Sequence, residues 1–202
     1  MKMHDPEVLK TVADAARDAG VLLICDEIAV NFGRTGTLFA HMQADVAPDI
    51  ICLGKALTGG AINLAATVST SDVFGAFLSD DPDAALMHGP TYMANPLACA
   101  AANASIDLFE TEPLLQQASA IENQLQRELT PLAHVPGVAE IRVKGAVGAV
   151  EVFDLHNLDW LKAQFVDAGV WLRQAGRHGV LNRAPSHALP RQSRGHGRST
   201  GG

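Results

Sequence analysis

The chain has 202 residues, of which 48% are hydrophobic, enough for one large domain or for one domain and part of a second. No apolar run approaches the roughly 20 residues that cross a bilayer, and the first residues lack the apolar core of a secretion signal. Three cysteines in apolar contexts, Cys25, Cys52 and Cys99, indicate buried side chains rather than a disulfide framework or a metal cluster. We therefore expect a cytoplasmic protein with no membrane partner and no metal site.

The first elements along the chain are a helix and a strand. Asp5 is a typical N-cap, and Pro6 suits the first helical position, where its missing N–H costs nothing. The predicted helix covers residues 5–18, and Gly20 is typical of a helix stop. The apolar run 21–25 then predicts a strand that is buried on both faces, as in a parallel sheet.

Two charged residues follow two successive apolar runs. Asp26 comes directly after the run 21–25, and Lys55 follows the run 50–53 across Gly54. In open α/β sheets, ligands collect outside the carboxyl ends of the strands. An acid and a lysine at such an edge suggest chemistry. An acid that caps a turn and a solvated loop lysine fit the same pattern, so spacing alone leaves both interpretations open.

The rest of the chain predicts further helices and strands in alternation. A proline after Glu112 and a break at Pro136-Gly137 suggest that a second domain begins near residue 113. The predicted elements are a strand over 64–69, a helix over 97–110 opened by Asn95-Pro96, a helix over 114–129, a hairpin or bent strand pair over 138–152 around Gly145, a helix capped by Asn157, and a strand over 170–173 that ends in Arg173.

Five motifs in order resemble the class-III, fold-type-I aminotransferases, which use pyridoxal phosphate. They are Cys25-Asp26-Glu27-Ile28, Phe32-Gly33-Arg34-Thr35-Gly36, Ala47-Pro48-Asp49-Ile50, Leu53-Gly54-Lys55-Ala56-Leu57-Thr58-Gly59-Gly60 and Asn95-Pro96-Leu97-Ala98. Within that class, His88-Gly89-Pro90-Thr91-Tyr92-Met93 is similar to the enzymes of biotin biosynthesis that transfer an amino group from S-adenosylmethionine to 8-amino-7-oxononanoate. The resemblance covers about residues 3–173.

The resemblance implies a role for both charged residues. Asp26 would pair with the protonated pyridine nitrogen of the cofactor, which makes the ring an electron sink. Lys55 would be the Schiff-base lysine, made nucleophilic by burial and a neighbouring cation, and would also carry the proton between substrate and cofactor. Glu27 and Arg34 are interpreted as an ion pair or as loop anchors rather than as catalytic groups.

Four further residues would bind the cofactor phosphate or the substrate. By resemblance, Pro90 and Thr91 serve the phosphate, and Thr91 comes from the other subunit of a homodimer. Gly89 would lie beside the keto-acid substrate. Arg173 would bind the substrate carboxylate, for which a guanidinium fork is well suited.

The fold class implied is α/β. Residues 1–112 would be the later part of a large domain with a mostly parallel sheet and helices on both faces, and residues 113–173 a truncated α+β small domain. Residues 174–202 carry five arginines and no acidic residue, show no sustained period, and are expected to be a disordered tail. Their composition resembles a GC-rich gene read in a shifted frame. A basic arm for nucleic acid is the alternative, but scattered arginines without lysines or aromatic residues predict no nucleic-acid partner.

The function implied is transamination between these small-molecule substrates. Another class-III aminotransferase that acts on ornithine, acetylornithine or a related ω-amine is the first alternative. A non-catalytic remnant of such an enzyme is the second. Because the early part of the family's large domain has no counterpart here, we expect weak or absent activity from this chain alone.

Overall fold

The computed structural model describes residues 2–153, 157–175 and 180–183, with backbone only for 172–175 and 180–183. The helices are α1 (Pro6–Asp18), α2 (Ser71–Gly75), α3 (Pro96–Thr111), α4 (Leu114–Leu129) and α5 (Leu158–Asp167), with short 3-10 helices at Ala40–Ala44, Lys55–Thr58, Pro82–Ala84 and Thr130–His134. The strands are β1 (Ile24–Asp26), β2 (Ile50–Leu53), β3 (Ala66–Ser69), β4 (Val138–Lys144), β5 (Val147–Val152), β6 (Leu172–Ala175) and β7 (Val180–Arg183).

Side-chain caps fix the starts of α1, α3 and α5. The Oδ1 atom of Asp5 accepts a hydrogen bond from the Glu7 N–H of α1 at 2.9 Å. Asn95 and Asn157 cap α3 and α5 in the same way, at 2.9 and 3.0 Å. Each cap satisfies a backbone donor that has no partner inside its helix. The predicted caps are therefore confirmed.

The first sheet has the strand order β1-β2-β3. β1 and β2 are parallel, with Asp26 opposite Cys52, and β3 runs antiparallel to β2. β1 begins at Ile24, three residues later than predicted, because the preceding backbone bonds elsewhere. The Val21 N–H donates to the Ala16 carbonyl at the end of α1, and the Leu23 N–H donates to the Asp49 carboxylate at 2.7 Å.

The first sheet is less buried than its sequence predicts. Ile24 is 58% exposed, and Val21, Leu22 and Val68 are also exposed. Within the described residues, the prediction of burial on both faces is therefore wrong for β1, whereas the residues of β2 are half-buried or buried. The physical reason is that no described element covers Ile24.

Small apolar residues form the core beside the first sheet. Ala13 of α1 packs with Ala44 and Val46, and Leu9 and Leu23 contact this cluster. A separate packing contact holds α3 against the 3-10 helix Lys55–Thr58. These contacts fix the segments on either side of β2.

The second sheet is antiparallel throughout, in the order β4-β5-β7-β6. β4 and β5 form the predicted hairpin around Gly145. Helix α4 packs on this hairpin at Gly148, where a β-carbon would lie 2.8 Å from the Leu129 side chain. The absence of a side chain at Gly148 therefore lets the helix approach the sheet.

The last two described strands differ from the sequence prediction. The strand expected to end at Arg173 continues to Ala175, and β7 lies inside the segment 174–202 that was expected to be disordered. β7 pairs with both β5 and β6, so backbone hydrogen bonds order a stretch whose side-chain pattern gives no strand signal. Residues 176–179 and 184–202 lie outside the described residues.

The two sheets are separate along the chain, and the junction between α3 and α4 lies between them. The domain boundary at residue 112 stays a prediction. Within the described ranges, the structure contains no helix that is long and apolar enough to cross a membrane.

Candidate active site

Asp26 and Lys55 follow neighbouring parallel strands. Asp26 is the last residue of β1, and Lys55 comes two residues after the end of β2. The Glu27 N–H donates to the Cys52 carbonyl at 3.0 Å and so extends the pairing one residue beyond β1. The sheet therefore brings both residues to the same edge, as predicted.

Asp26 presents its carboxylate at an exposed position. Its Oδ1 atom accepts a hydrogen bond from the Ile28 N–H at 3.0 Å, which closes a tight turn after β1. Within the described residues, Oδ2 accepts no hydrogen bond. One oxygen thus orients the side chain, and the other is available to a ligand.

Lys55 begins a 3-10 helix with an unusual backbone conformation. Its φ angle is 44°, in the left-handed region that residues with a β-carbon rarely adopt. The preceding Gly54 is buried against Ile28, and the Ser105 hydroxyl of α3 donates to the Ala56 carbonyl at 3.5 Å. The helix is therefore held from both sides, while the Lys55 side chain stays exposed.

Glu27 points the opposite way from Asp26 and is 2% exposed. Its Oε1 atom lies 2.8 Å from the His41 backbone N and 2.6 Å from His41 Nδ1, and its Oε2 atom lies 2.7 Å from the Ala40 N. The interpretation of Glu27 as a loop anchor is confirmed, and its partner in the structure is His41 rather than Arg34. The Glu27 charge, after burial, also helps to raise the pKa of the Cys25 thiol.

The glycine loop, residues 31–36, follows the turn after Asp26 and contacts the β4–β5 hairpin of the second sheet. The Arg34 carbonyl accepts a hydrogen bond from the Ala146 N–H at 3.0 Å. A β-carbon on Gly145 would lie 2.5 Å from the Gly36 nitrogen. The turn between β4 and β5 therefore rests directly on the loop that leads away from Asp26.

Gly89, Pro90 and Thr91 lie in an exposed segment between two helices. The Pro90 carbonyl accepts from the Met93 N–H at 3.0 Å, which forms a turn just before α3. In the described part of the chain, no hydrogen bond or ion pair joins this turn to Asp26 or Lys55. The placement of these three residues in the site therefore stays a prediction.

Arg173 is the second residue of β6, and its backbone lies opposite Asn182 of β7. The strand places it in the second sheet, as expected. Its side chain lies outside the described residues.

Two buried polar residues near the edge carried no signal in the sequence. His41 is 8% exposed and bonds to Glu27 across fourteen positions of the chain. Asn31 is 1% exposed, and neither amide atom has a partner among the described residues. The fourteen positions between Glu27 and His41 match no helix or strand period. Only the folded loop therefore reveals this pair.

Comparison with known proteins identifies the family. The model of the aminotransferase class-III family matches residues 1–189. The chain is 45% identical over 177 residues to adenosylmethionine-8-amino-7-oxononanoate aminotransferase of Corynebacterium glutamicum. The matched region covers 88% of this chain and 42% of that protein. The chain thus spans about two fifths of the length of this curated relative.

Solved structures give the same result. The adenosylmethionine-8-amino-7-oxononanoate aminotransferase of Methanocaldococcus jannaschii superimposes with a TM-score of 0.78 at 30% identity, over 88% of this chain and 44% of that one. The ornithine aminotransferase of Toxoplasma gondii, in a structure with partial occupancy of pyridoxal phosphate at its active site, has a TM-score of 0.78 at 32% identity. That match covers 89% of this chain and 42% of the Toxoplasma gondii chain. The predicted resemblance and the predicted α/β fold are confirmed. This chain belongs to the class-III aminotransferase family.

Proposed function

We propose that the chain serves transamination from S-adenosylmethionine to 8-amino-7-oxononanoate, a step of biotin biosynthesis, with pyridoxal phosphate as cofactor. The names of the Corynebacterium and Methanocaldococcus relatives support this choice of substrates. The observation that carries the proposal is the placement of Asp26 and Lys55 at one edge of a parallel strand pair. Because the chain spans two fifths of its curated relative, we expect turnover by this chain alone to be weak or absent.

The chemistry of the edge fits the cofactor. The Asp26 carboxylate, oriented through Oδ1, would hold the protonated ring nitrogen. The Lys55 amine is exposed at the same edge of the sheet and would bond to the cofactor aldehyde. Gly60, past the same 3-10 helix, has no atom within 4 Å of where a β-carbon would lie, so a ring can pass close to the backbone.

The other predicted residues fit a site that two subunits complete. Thr91 offers a hydroxyl and an N–H to a phosphate, and its exposure, with Pro90 and Gly89, supports donation across a homodimer interface. Gly89 would lie beside the keto-acid substrate, and Arg173 would bind the substrate carboxylate. A cytoplasmic location is part of the same proposal, since these are small soluble substrates.

Lys55 and Asp26 would each act on a different part of the bound cofactor and substrate. When bound, pyridoxal phosphate supplies the electron sink that makes the carbon bearing the transferred amino group acidic. Lys55 Nζ would take the proton from that carbon and would deliver it to the cofactor. Asp26 keeps the ring nitrogen protonated, because a carboxylate at that position favours the charged form.

Borohydride trapping tests the cofactor proposal. The chain is incubated with pyridoxal phosphate, reduced, digested and mapped by mass spectrometry. We expect the cofactor mass on Lys55, and an absorbance band from the lysine-bound cofactor that Lys55→Ala abolishes. The exposed Lys162 of α5 provides the control, because Lys162→Ala leaves the band unchanged. Labelling spread evenly over all lysines would contradict the proposal.

A donor screen separates the remaining functions. Amino transfer from S-adenosylmethionine supports the proposed reaction. Transfer from ornithine-like amines favours the alternative that the Toxoplasma gondii structure represents. If Lys55 is labelled and neither donor reacts, the chain is a non-catalytic remnant that retains cofactor chemistry.

A further inference from the structure

The buried pair of Glu27 and His41 lies directly behind the exposed Asp26. Glu27 is the next residue along the chain, and its side chain enters the interior while that of Asp26 faces outward. Its backbone N–H bonds to Cys52 at 3.0 Å, and its carbonyl accepts from the N–H groups of Val30 and Asn31. The residue after Asp26 is therefore fixed by its backbone on both sides.

The Glu27 carboxylate is fixed as well. Two backbone N–H groups at the start of the 3-10 helix Ala40–Ala44 donate to it at 2.7 and 2.8 Å, and His41 Nδ1 lies 2.6 Å from Oε1. We assign the hydrogen of the His41 contact to Nδ1, because the carboxylate form of Glu27 can only accept. Charge-assisted hydrogen bonds of this kind are roughly twice as strong as neutral ones.

The His41 ring is held in turn by aromatic packing. It stacks on Phe39 with ring centroids 5.7 Å apart and an interplanar angle of 10°. Phe39 meets Phe32 edge to face at 5.7 Å, and Phe32 contacts Phe109 of α3 at 5.8 Å. A continuous series of contacts thus joins the turn after β1 to the helix that also supports the Lys55 segment.

We propose that Glu27 and His41 are positioning residues for Asp26, and that their pair holds the Asp26 carboxylate in place for the ring nitrogen of the cofactor. The inference rests on the proposed function and extends it to two residues without a part in the chemistry. Its basis is that the Ile28 N–H, which orients Asp26 Oδ1, belongs to the same turn that the Glu27 side chain anchors.

The test compares two cofactors and two matched variants. His41→Ala removes the donor to Glu27, whereas His41→Asn keeps an amide donor close to the position of Nδ1. Affinity is measured by absorbance for pyridoxal phosphate and for an analogue with a ring C–H in place of the ring nitrogen. Asp26→Asn defines the loss expected when the contact to the ring nitrogen is weakened.

We expect His41→Ala to weaken pyridoxal phosphate binding by about tenfold, because a displaced carboxylate loses one charge-assisted hydrogen bond. Binding of the C–H analogue stays unchanged, and His41→Asn restores most of the affinity for pyridoxal phosphate. An equal loss for both cofactors would show that the pair only stabilises the fold. That result would overturn the inference and leave the proposed function intact.

A cofactor-free measurement decides the case in which the wild-type chain binds neither compound. Amide hydrogen exchange at Ile28 reports directly on the hydrogen bond to Asp26 Oδ1. We expect His41→Ala to accelerate that exchange and His41→Asn to leave it unchanged, with α5 amides as the remote reference. If exchange at Ile28 does not respond to His41→Ala, the pair does not hold the Asp26 turn and the inference is wrong.

Discussion

At the scale of single residues, the backbone of Lys55 shows that the site is held in an unfavourable conformation. A left-handed φ of 44° costs a residue with a β-carbon roughly 1 to 2 kcal/mol, and it persists only where the surroundings impose it. Here Gly54 and α3 pack against the segment on either side. The strain lies at the residue proposed to bond to the cofactor.

This strain predicts that replacing Lys55 by glycine stabilises the fold relative to alanine, while the lysine that the cofactor requires is lost. We expect the free energy of unfolding of Lys55→Gly to exceed that of Lys55→Ala by about 1 kcal/mol, because glycine adopts φ of 44° without strain. In urea unfolding, the glycine variant then has the higher midpoint. Neither variant forms the lysine-bound cofactor band. Equal stability of the two variants would mean that the backbone relaxes when the lysine is removed.

The Cys25 thiol gives a prediction about pH. Burial, and then the negative charge of Glu27, raise the pKa of Cys25 above its ordinary value. A raised pKa means less thiolate at any given pH, so alkylation of Cys25 is slower than that of free cysteine at pH 8. The rate reaches half its maximum at a higher pH than for the free amino acid. Peptide mapping of a timed iodoacetamide reaction measures this, and Cys25→Ser identifies the peptide.

At the scale of elements, the β4–β5 hairpin brings two like charges together and bridges them. Glu140 and Glu151 are directly opposite in the register. Arg142 donates hydrogen bonds to both, and its side chain is 14% exposed. The hydrogen bond to Glu151 is the main cause that raises the pKa of Arg142, so the guanidinium stays charged at every working pH.

Arg142→Met tests the bridge. We expect a loss of about 1 kcal/mol in the free energy of unfolding, because the variant leaves two like charges opposite each other on adjacent strands. Added salt screens that repulsion, so the loss shrinks between low and high ionic strength. Guanidinium is itself a salt, and urea is therefore the denaturant. A loss that does not depend on salt would assign the effect to packing of the arginine stem.

At the scale of the whole molecule, the tip of the β4–β5 hairpin packs closely against the loop that follows β1. Gly145 at the tip of the hairpin touches the backbone of Thr35 and Gly36, which follow the strand end that carries Asp26. The second sheet, which contains Arg173 in β6, is thereby held close to the loop that follows Asp26. The relative position of the proposed carboxylate and cofactor sites depends on a contact that has no room for a methyl group.

Gly145→Ala therefore disturbs the contact between the β4–β5 hairpin and the loop over residues 31–36. We expect a destabilisation of about 2 to 4 kcal/mol, the sum of overpacking and of a left-handed alanine. Gly20 provides the matched control: its φ of 65° is close to the 54° of Gly145, and nothing lies within 4 Å of where its β-carbon would be. Gly20→Ala thus carries the conformational cost alone. Similar losses in the two variants, measured by urea unfolding, would contradict a tight contact at Gly145.

The local elements followed from the sequence because their causes are local. Asp5 and Asn95 cap the helices that they were predicted to cap, and the helix over 114–129 has the predicted ends. The edge shared by Asp26 and Lys55 was also predictable, since each follows an apolar run and parallel strands end together. The roles of these residues, and those of Gly89, Pro90, Thr91 and Arg173, came from the resemblance and stay proposals.

The sequence by itself determined the family, the order of helices and strands, and the two residues at the sheet edge, because caps, apolar runs and motifs act over a few positions. Only the tertiary structure decided that His41 bonds to Glu27, that Gly145 rests on the glycine loop, and that β7 pairs between β5 and β6. These contacts join positions far apart in the chain, which no local period records, and they form only when backbone hydrogen bonds and packing close the loops between them.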